Sequence, residues 1–325
     1  MSDISSICFT GLYGQKKAKH LLSRSLMANR VPHAYLFRGP DGVGKRLFAQ
    51  GVAAAINCRE RVGPAACGNC SSCRKFRSQN HPDFLVVRPQ KGVIKIEQVR
   101  QLTKELSYPP FESGMRIVVL EDVHTMRREA ANSLLKTLEE PPADNLLILT
   151  AESSQEILAT LISRCQVVPF TRLSTGDTAE ILKAHGIEPE AALLLARLSE
   201  GSPGRALVFQ KSDLVAVWRE AVGALADPAL LPDRDVGVLL RLAEKMAALK
   251  EDLPPFLGLL KIWVRDLLLA ASTTGEAVME SFGPRKSWSS AELFAKLQAI
   301  SRAERELARN CNRNLVCEVL LFALQ

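Results

Sequence analysis

The sequence predicts an α/β protein: a parallel five-stranded sheet flanked by helices, then a small helical lid and an all-α C-terminal domain. Three observations predict it. Short apolar runs alternate with helical patterns through the first half of the chain, as in strand–helix–strand units. One of these runs leads through a glycine-rich loop into a helix. Beyond about Thr171 the strand signals stop, and helical periodicity continues nearly to the end.

Strands are expected at residues 34–38, 83–87, 117–121, 146–150 and 167–170, each short and rich in Val, Ile, Leu or Phe. A helix at 128–140 sets Ala131, Leu134, Leu135 and Leu138 on one face. Pro141-Pro142 ends it by removing backbone donors and blocking the next turn. A helix at 155–162 precedes the fifth strand. Residues 174–210 read as a lid, with Asp177 as its first helix cap and Gly186, Pro189, Gly201, Pro203 and Gly204 as interruptions. Longer helices at 237–250, 255–271 and 291–309 suit an all-α bundle. The expected domains are therefore 1–170, 171–210 and 211–325.

Composition narrows the classes. A chain of 325 residues exceeds what one core usually organises, and its 47% hydrophobic and 24% charged residues exclude a disordered or fibrous protein. The net charge of +7 admits an anionic partner such as nucleic acid, but the basic residues are spread along the chain. No run of about 18 apolar residues occurs, and Met1 to Lys16 lack a basic-then-apolar signal pattern. The expectation is a cytoplasmic protein without a membrane partner. In a reducing compartment its eight cysteines are not expected to form disulfides.

The glycine-rich loop is Gly39-Pro40-Asp41-Gly42-Val43-Gly44-Lys45-Arg46, a Walker A pattern up to its last position. Glycines let backbone N–H groups turn toward phosphate oxygens, the following helix adds its positive end, and Lys45 adds a point charge. The Ser or Thr that should follow the lysine and hold Mg²⁺ is Arg46, whose guanidinium has no lone pair for a metal. The second nucleotide motif ends Glu121-Asp122, where a working enzyme of this kind has Asp then Glu. A misplacement of about 1 Å costs about 100-fold in such chemistry. Two defects in one site point to lost hydrolysis. The plainer readings are a glycine turn with a solvated lysine, and two carboxylates capping a strand end in solvent.

Cys58, Cys67, Cys70 and Cys73 form C-x8-C-x2-C-x2-C, with Gly63, Pro64 and Gly68 turning the chain between them. Four thiolates in so short a loop suit tetrahedral Zn²⁺, with no open position for catalytic water. An iron–sulfur cluster or free thiols are the other readings. Cys8, Cys311 and Cys317 are expected to be buried small hydrophobes. Arg164, in Ser163-Arg164-Cys165 just before the fifth strand, stands where an arginine at the sheet rim can reach the γ-phosphate of a neighbouring subunit. An intramolecular salt bridge or a helix C-terminal cation is the plainer role. Arg100 and Lys104 are candidates for phosphate-only DNA contact, or simply a solvated helix face.

Together these features resemble the AAA+ (RecA-like) clamp-loader subunits of bacterial DNA polymerase III, and among them the δ′ type. The likeness is carried by Gly14-Gln15, His33 to Phe37, the four cysteines, Asn132 to Pro142, Ser163-Arg164-Cys165 and Gly201 to Leu207. It implies a sensor-1 place near Thr150 and a sensor-2 place at Arg205. It also implies a hetero-pentameric ring with γ/τ and δ subunits that sets the β clamp on primed DNA. In that ring Arg164 would act in trans and the last helices would form a collar. Arg46 and the Glu121-Asp122 order depart from the active members. The expected function is thus a non-hydrolysing stator, and ATP/Mg²⁺ binding is left open because Lys45 is kept. The alternative is a γ/τ-like ATPase in which water replaces the missing magnesium ligand.

Overall fold

A computed structural model of the chain describes residues 8–153, 157–211, 214–226, 236–272 and 288–325. Five strands, β1 (Ala34–Arg38), β2 (Phe84–Val87), β3 (Arg116–Leu120), β4 (Asn145–Ala151) and β5 (Gln166–Pro169), lie within one residue of their expected bounds. They pair in parallel in the order β2-β3-β4-β1-β5. Strands β3 and β4 are buried along their whole length. This is why they read as unbroken apolar runs rather than alternating ones.

Alternation across the pleat still decides which face each side chain serves. Tyr35, Phe37, Ile117, Val119 and Ile148 join one core with helices α1 (Lys16–Met27), α2 (Lys45–Ile56) and α3 (Ser71–Arg77). Leu36, Val118, Leu120, Leu147 and Leu149 join the other with α4 (Ile96–Leu106) and α5 (Arg128–Glu139). Phe48 meets the Phe170 ring edge-on at 5.1 Å, and Phe37 meets the same ring at 5.1 Å. Each such fully buried ring contributes about 1.5–3 kcal/mol.

The short α6 (Ala159–Ile162) precedes β5. This helix is expected from residue 155; residues 155 and 156 lie outside the described residues, and 157 and 158 are not helical, because Leu158, with φ −58° and ψ 128°, stands as the cap of the helix that follows. Helix α7 (Thr175–Ala184) corrects one expectation: its cap is Ser174, not Asp177. Ser174 is extended (φ −64°, ψ 154°) and its Oγ accepts the Asp177 N–H at 3.0 Å. Asp177 is already inside the helix, where its charge complements the positive helix end.

The chain parts into two compact units, one of residues 1–186 and 200–204, the other of residues 187–199 and 205–325. The second unit is helical: α8 (Pro189–Leu198), most of α9 (Pro203–Lys211), α10 (Leu214–Ala226), α11 (Val236–Ala248), α12 (Leu253–Ser272), α13 (Ser290–Ala308) and α14 (Arg313–Leu324). Pro254 and Pro255 fall in the first turn of α12, where a missing N–H costs nothing. A reciprocal Ser289–Glu292 capping box starts α13. Trp218, Phe256 and Trp263 are fully buried in this unit, and Trp288 meets Trp263 at 5.7 Å in a T-shaped contact. Cys317 is buried as expected, Cys8 only half so. Cys311 is exposed, contrary to expectation, because it lies in the turn between α13 and α14 rather than on an apolar helix face.

A buried carboxylate organises the approach to β3. Asp83 is fully buried and accepts the N–H groups of Phe111 (2.5 Å), Glu112 (3.0 Å) and Ser113 (3.0 Å) and the Ser113 hydroxyl (2.6 Å). Burial alone would raise its pKa, but these bonds outweigh burial and hold it below the usual carboxylate range. Asp83→Asn turns one acceptor into a donor facing donors and is expected to cost about 3 kcal/mol at neutral pH. Because the folded pKa is depressed, this stability is complete above the unfolded value of about 3.9 and is lost as pH falls through the folded value. Thermal melts should show a gap between native chain and variant that is widest at neutral pH and narrows below about pH 4. A constant gap would refute the assignment of that stability to the ionised form.

Candidate functional site

The phosphate loop leaves β1 at Gly39, where a Cβ would stand 2.3 Å from the Phe170 carbonyl oxygen, so no side chain fits. Gly44, with φ +98°, supplies the left-handed turn into α2. Lys45 is buried, and its Nζ donates to the carbonyls of Gly39 and Pro40 at 2.7 Å each. Burial lowers the Lys45 pKa, while Asp41, Asp122 and Glu152 oppose that shift. The carbonyls of the next two residues are taken from far along the chain. Ser202 Oγ donates to the Asp41 carbonyl at 2.8 Å, and the Gly204 N–H to the Gly42 carbonyl at 3.0 Å. A Cβ on Gly204 would lie 2.7 Å from the Gly42 Cα. Ser202 and Gly204 were not among the expected site residues; the small residues around Pro203 are the only sequence sign of so close an approach.

Glu121 does not cap its strand in solvent. It is held between two guanidiniums, Arg46 Nε at 3.2 Å from Oε1 and Arg88 Nε at 3.3 Å from Oε2. Arg88 also escaped sequence reasoning, although the parallel register exposes it: Val87 pairs with Leu120, so the next residues, Arg88 and Glu121, emerge side by side. Asp122 adopts a left-handed conformation (φ 53°), and its N–H donates to the buried Thr150 Oγ1 at 3.1 Å. Burial raises the Asp122 pKa, with Asp41 adding to the effect and His124 and Lys45 opposing it. Gly39, Gly42, Gly44, Lys45, Arg46, Glu121, Asp122 and Thr150 thus gather at the C-terminal edge of the sheet. Their side chains do not fit a magnesium ion: a guanidinium stands at the hydroxyl ligand's position, and the Glu121 carboxylate is already paired twice. Arg205 belongs to the second unit, where its guanidinium lies 5.7 Å over the Phe209 ring.

Arg164 follows α6 at the sheet rim. Its Nη2 meets Glu139 Oε1 at 2.5 Å, and its Nη1 donates to the Thr160 carbonyl at 3.0 Å. Arg164 is half-buried and Glu139 exposed. The intramolecular salt bridge weighed against the trans role is therefore present in the chain, with Glu139 as a partner no local pattern had singled out.

The four cysteine sulfurs lie within 4.8 Å of one another. Cys73 Sγ is 3.9 Å from Cys67 Sγ and 3.7 Å from Cys58 Sγ. Tetrahedral coordination at about 2.3 Å would set sulfurs about 3.8 Å apart. Backbone N–H groups approach the sulfurs, among them Cys67 N to Cys58 Sγ at 3.2 Å and Cys70 N to Cys67 Sγ at 3.3 Å. The cluster follows α2 and continues into α3, for which Cys70 is the cap. Burial opposes ionisation of Cys70, but the N–H of Cys73 and further hydrogen bonds bring the thiol down to about 6, whereas burial pushes Cys73 up. These residues could hold a metal ion.

Residues 14–174 match the family described as DNA polymerase III, delta subunit. The DNA polymerase III subunit delta′ of Bacillus subtilis (strain 168) is 36% identical over 208 residues, covering 64% of this chain and 63% of the relative. The tau subunit of Escherichia coli (strain K12) is 31% identical over 246 residues, covering 73% of this chain and 38% of the relative. The chain thus spans less than two thirds of the length of these relatives. A DNA polymerase III gamma subunit-related protein from Thermotoga maritima superposes with a TM-score of 0.52 at 17% identity, over 95% of this chain and 98% of that one, a likeness of fold. With the sheet order and the strand–loop–helix of the phosphate loop, these matches identify an AAA+ fold, and through residues 14–174 the chain belongs to the DNA polymerase III clamp-loader family that includes the delta′ subunits.

Proposed function

We propose that this clamp-loader subunit acts as a delta′ chain: a stator that does not hydrolyse ATP, assembles with γ/τ and δ subunits in a hetero-pentameric ring, and helps set the β clamp on primed DNA. One observation carries the reading. Arg46 replaces the metal-ligating hydroxyl, and its guanidinium is tied to Glu121, so the magnesium side of the loop is filled by charged side chains. In this reading Arg164 exchanges Glu139 for the γ-phosphate of a neighbouring subunit. An exposed ion pair is worth about 0–1 kcal/mol, small against the attraction of a triphosphate. Thr150 and Arg205 hold the sensor places, the latter without a catalytic task of its own. Arg100 and Lys104, exposed one turn apart on α4, offer contacts to DNA phosphates that weaken with salt.

Zinc in the four-cysteine cluster serves structure, because four sulfurs leave no open coordination position. We keep the division 1–170, 171–210 and 211–325 as sheet domain, lid and collar of the assembled ring. A cytoplasmic location fits a replication subunit; among the described residues no helix is long and apolar enough to cross a membrane. The γ/τ-like ATPase remains the second reading because Lys45 is in place and the E. coli tau subunit is similar. The purified chain alone is expected to release no phosphate from ATP above a buffer blank. Turnover by the isolated chain that disappears in Lys45→Ala would overturn the stator and establish the enzyme.

A further inference from the structure

We infer that the phosphate loop of this chain binds the polyphosphate of a nucleotide without a divalent cation, the guanidiniums of Arg46 and Arg88 supplying the two positive charges that magnesium would bring. The inference rests on the reading of the chain as non-hydrolysing and concerns the same loop.

The loop is built to hold an anion. Its four carbonyls from Gly39 to Gly42, which would repel a phosphate, each accept a hydrogen bond: two from Lys45, one from Ser202 and one from the Gly204 N–H. With the carbonyls so engaged, and the Gly39 N–H spent on the Ala151 carbonyl at 3.0 Å, the loop N–H groups from Asp41 onward and those of the first turn of α2 face the ligand, and the helix end adds its partial positive charge. A loop meant only as a turn has no need of a buried lysine.

Charge decides the metal. A working loop of this kind balances one lysine and one divalent cation against its acidic residues. Here Lys45, Arg46 and Arg88 stand among Asp41, Glu121, Asp122 and Glu152, and the two guanidiniums on Glu121 bring the formal charge of one Mg²⁺. Arg88 alone can keep Glu121 paired, which frees Arg46, at the first turn of α2, to swing onto a phosphate oxygen. A divalent ion added to such a site would meet two resident guanidiniums at close range, one of them at the hydroxyl ligand's position, and a Glu121 carboxylate already paired with both. A guanidinium supplies charge and directed N–H groups but cannot organise water for in-line attack, so binding and hydrolysis come apart in this chain.

The test is a fluorescence titration of the purified full-length chain with N-methylanthraniloyl-ATP, in excess EDTA and again in excess Mg²⁺. The expected dissociation constants agree within about twofold between the two conditions. Arg46→Thr restores the hydroxyl ligand and should bind about tenfold more weakly in EDTA than in Mg²⁺. Arg46→Ala should lose about tenfold in both. Thermal melts of both variants matching the native chain exclude misfolding, as expected for a side chain 46% exposed. Binding by the native chain that requires Mg²⁺, or no binding in either condition, overturns the inference. Magnesium-dependent binding without phosphate release would leave the stator reading intact, so the two failures are distinguishable.

Discussion

On the proposed trans role, replacing Arg164 with alanine is expected to slow ATP turnover at the neighbouring subunit's site by about 1,000-fold, while this chain remains folded and assembled. The size follows from the chemistry. A guanidinium delivered across a subunit boundary meets charge that develops on the transferring phosphoryl group, and it acts where water is excluded. The fold loses little, because among the described residues the only side-chain ion pair of Arg164 is the contact with Glu139 at the surface. Glu139→Ala is the control, since it breaks the same pair and keeps the guanidinium. Single-turnover ATP hydrolysis by the ring assembled with its γ/τ and δ partners reads the difference. If Arg164→Ala and Glu139→Ala leave equal and near-native rates, Arg164 is a structural residue and the trans role is lost.

With zinc in the cluster as proposed, Cys73→Ser is expected to remove close to one zinc per chain and to lower the melting temperature of the sheet unit by about 10 °C. Cys73 is fully buried and its sulfur sits within 4 Å of two others, so it has no way to leave the cluster by rotating into solvent. Serine is a poor ligand for a soft thiolate site and places an unpaired hydroxyl among apolar and sulfur atoms. Losing the staple frees the loop between α2 and α3, a change of about 3–5 kcal/mol, which shifts melting by about 2–4 °C per kcal/mol in a unit of this size. Metal analysis together with calorimetry provides the check, and a strong chelator should reproduce the shift in the native chain. A native chain purified metal-free that melts at the same temperature with and without added Zn²⁺ would sink the assignment.

Much of this fold is legible without coordinates because its signals are local. Apolar runs bounded by turn residues mark strands, and Pro141 stops α5 after Glu139 wherever the helix packs. The four cysteines lie within sixteen consecutive positions, so their convergence on one point needs only two glycine turns. Glycine spacing and the residue after Lys45 are likewise read directly from the chain.

Partners distant in sequence were not legible. Arg88 reaches Glu121 because parallel pairing brings the ends of β2 and β3 together, and no periodicity in either segment announces the pair. Ser202 lies 161 positions from Asp41, and only the packed chain places its hydroxyl on that carbonyl. Capping at α7 turned on a smaller matter: Ser174 and Asp177 are both good caps by type, and backbone conformation chose the residue outside the helix. The sequence by itself determined the strands, the phosphate loop, the missing metal ligand and the thiol cluster. Tertiary structure alone decided that Arg46 and Arg88 share one carboxylate and that Glu139 holds Arg164, because ion pairing depends on distances that chain order does not encode.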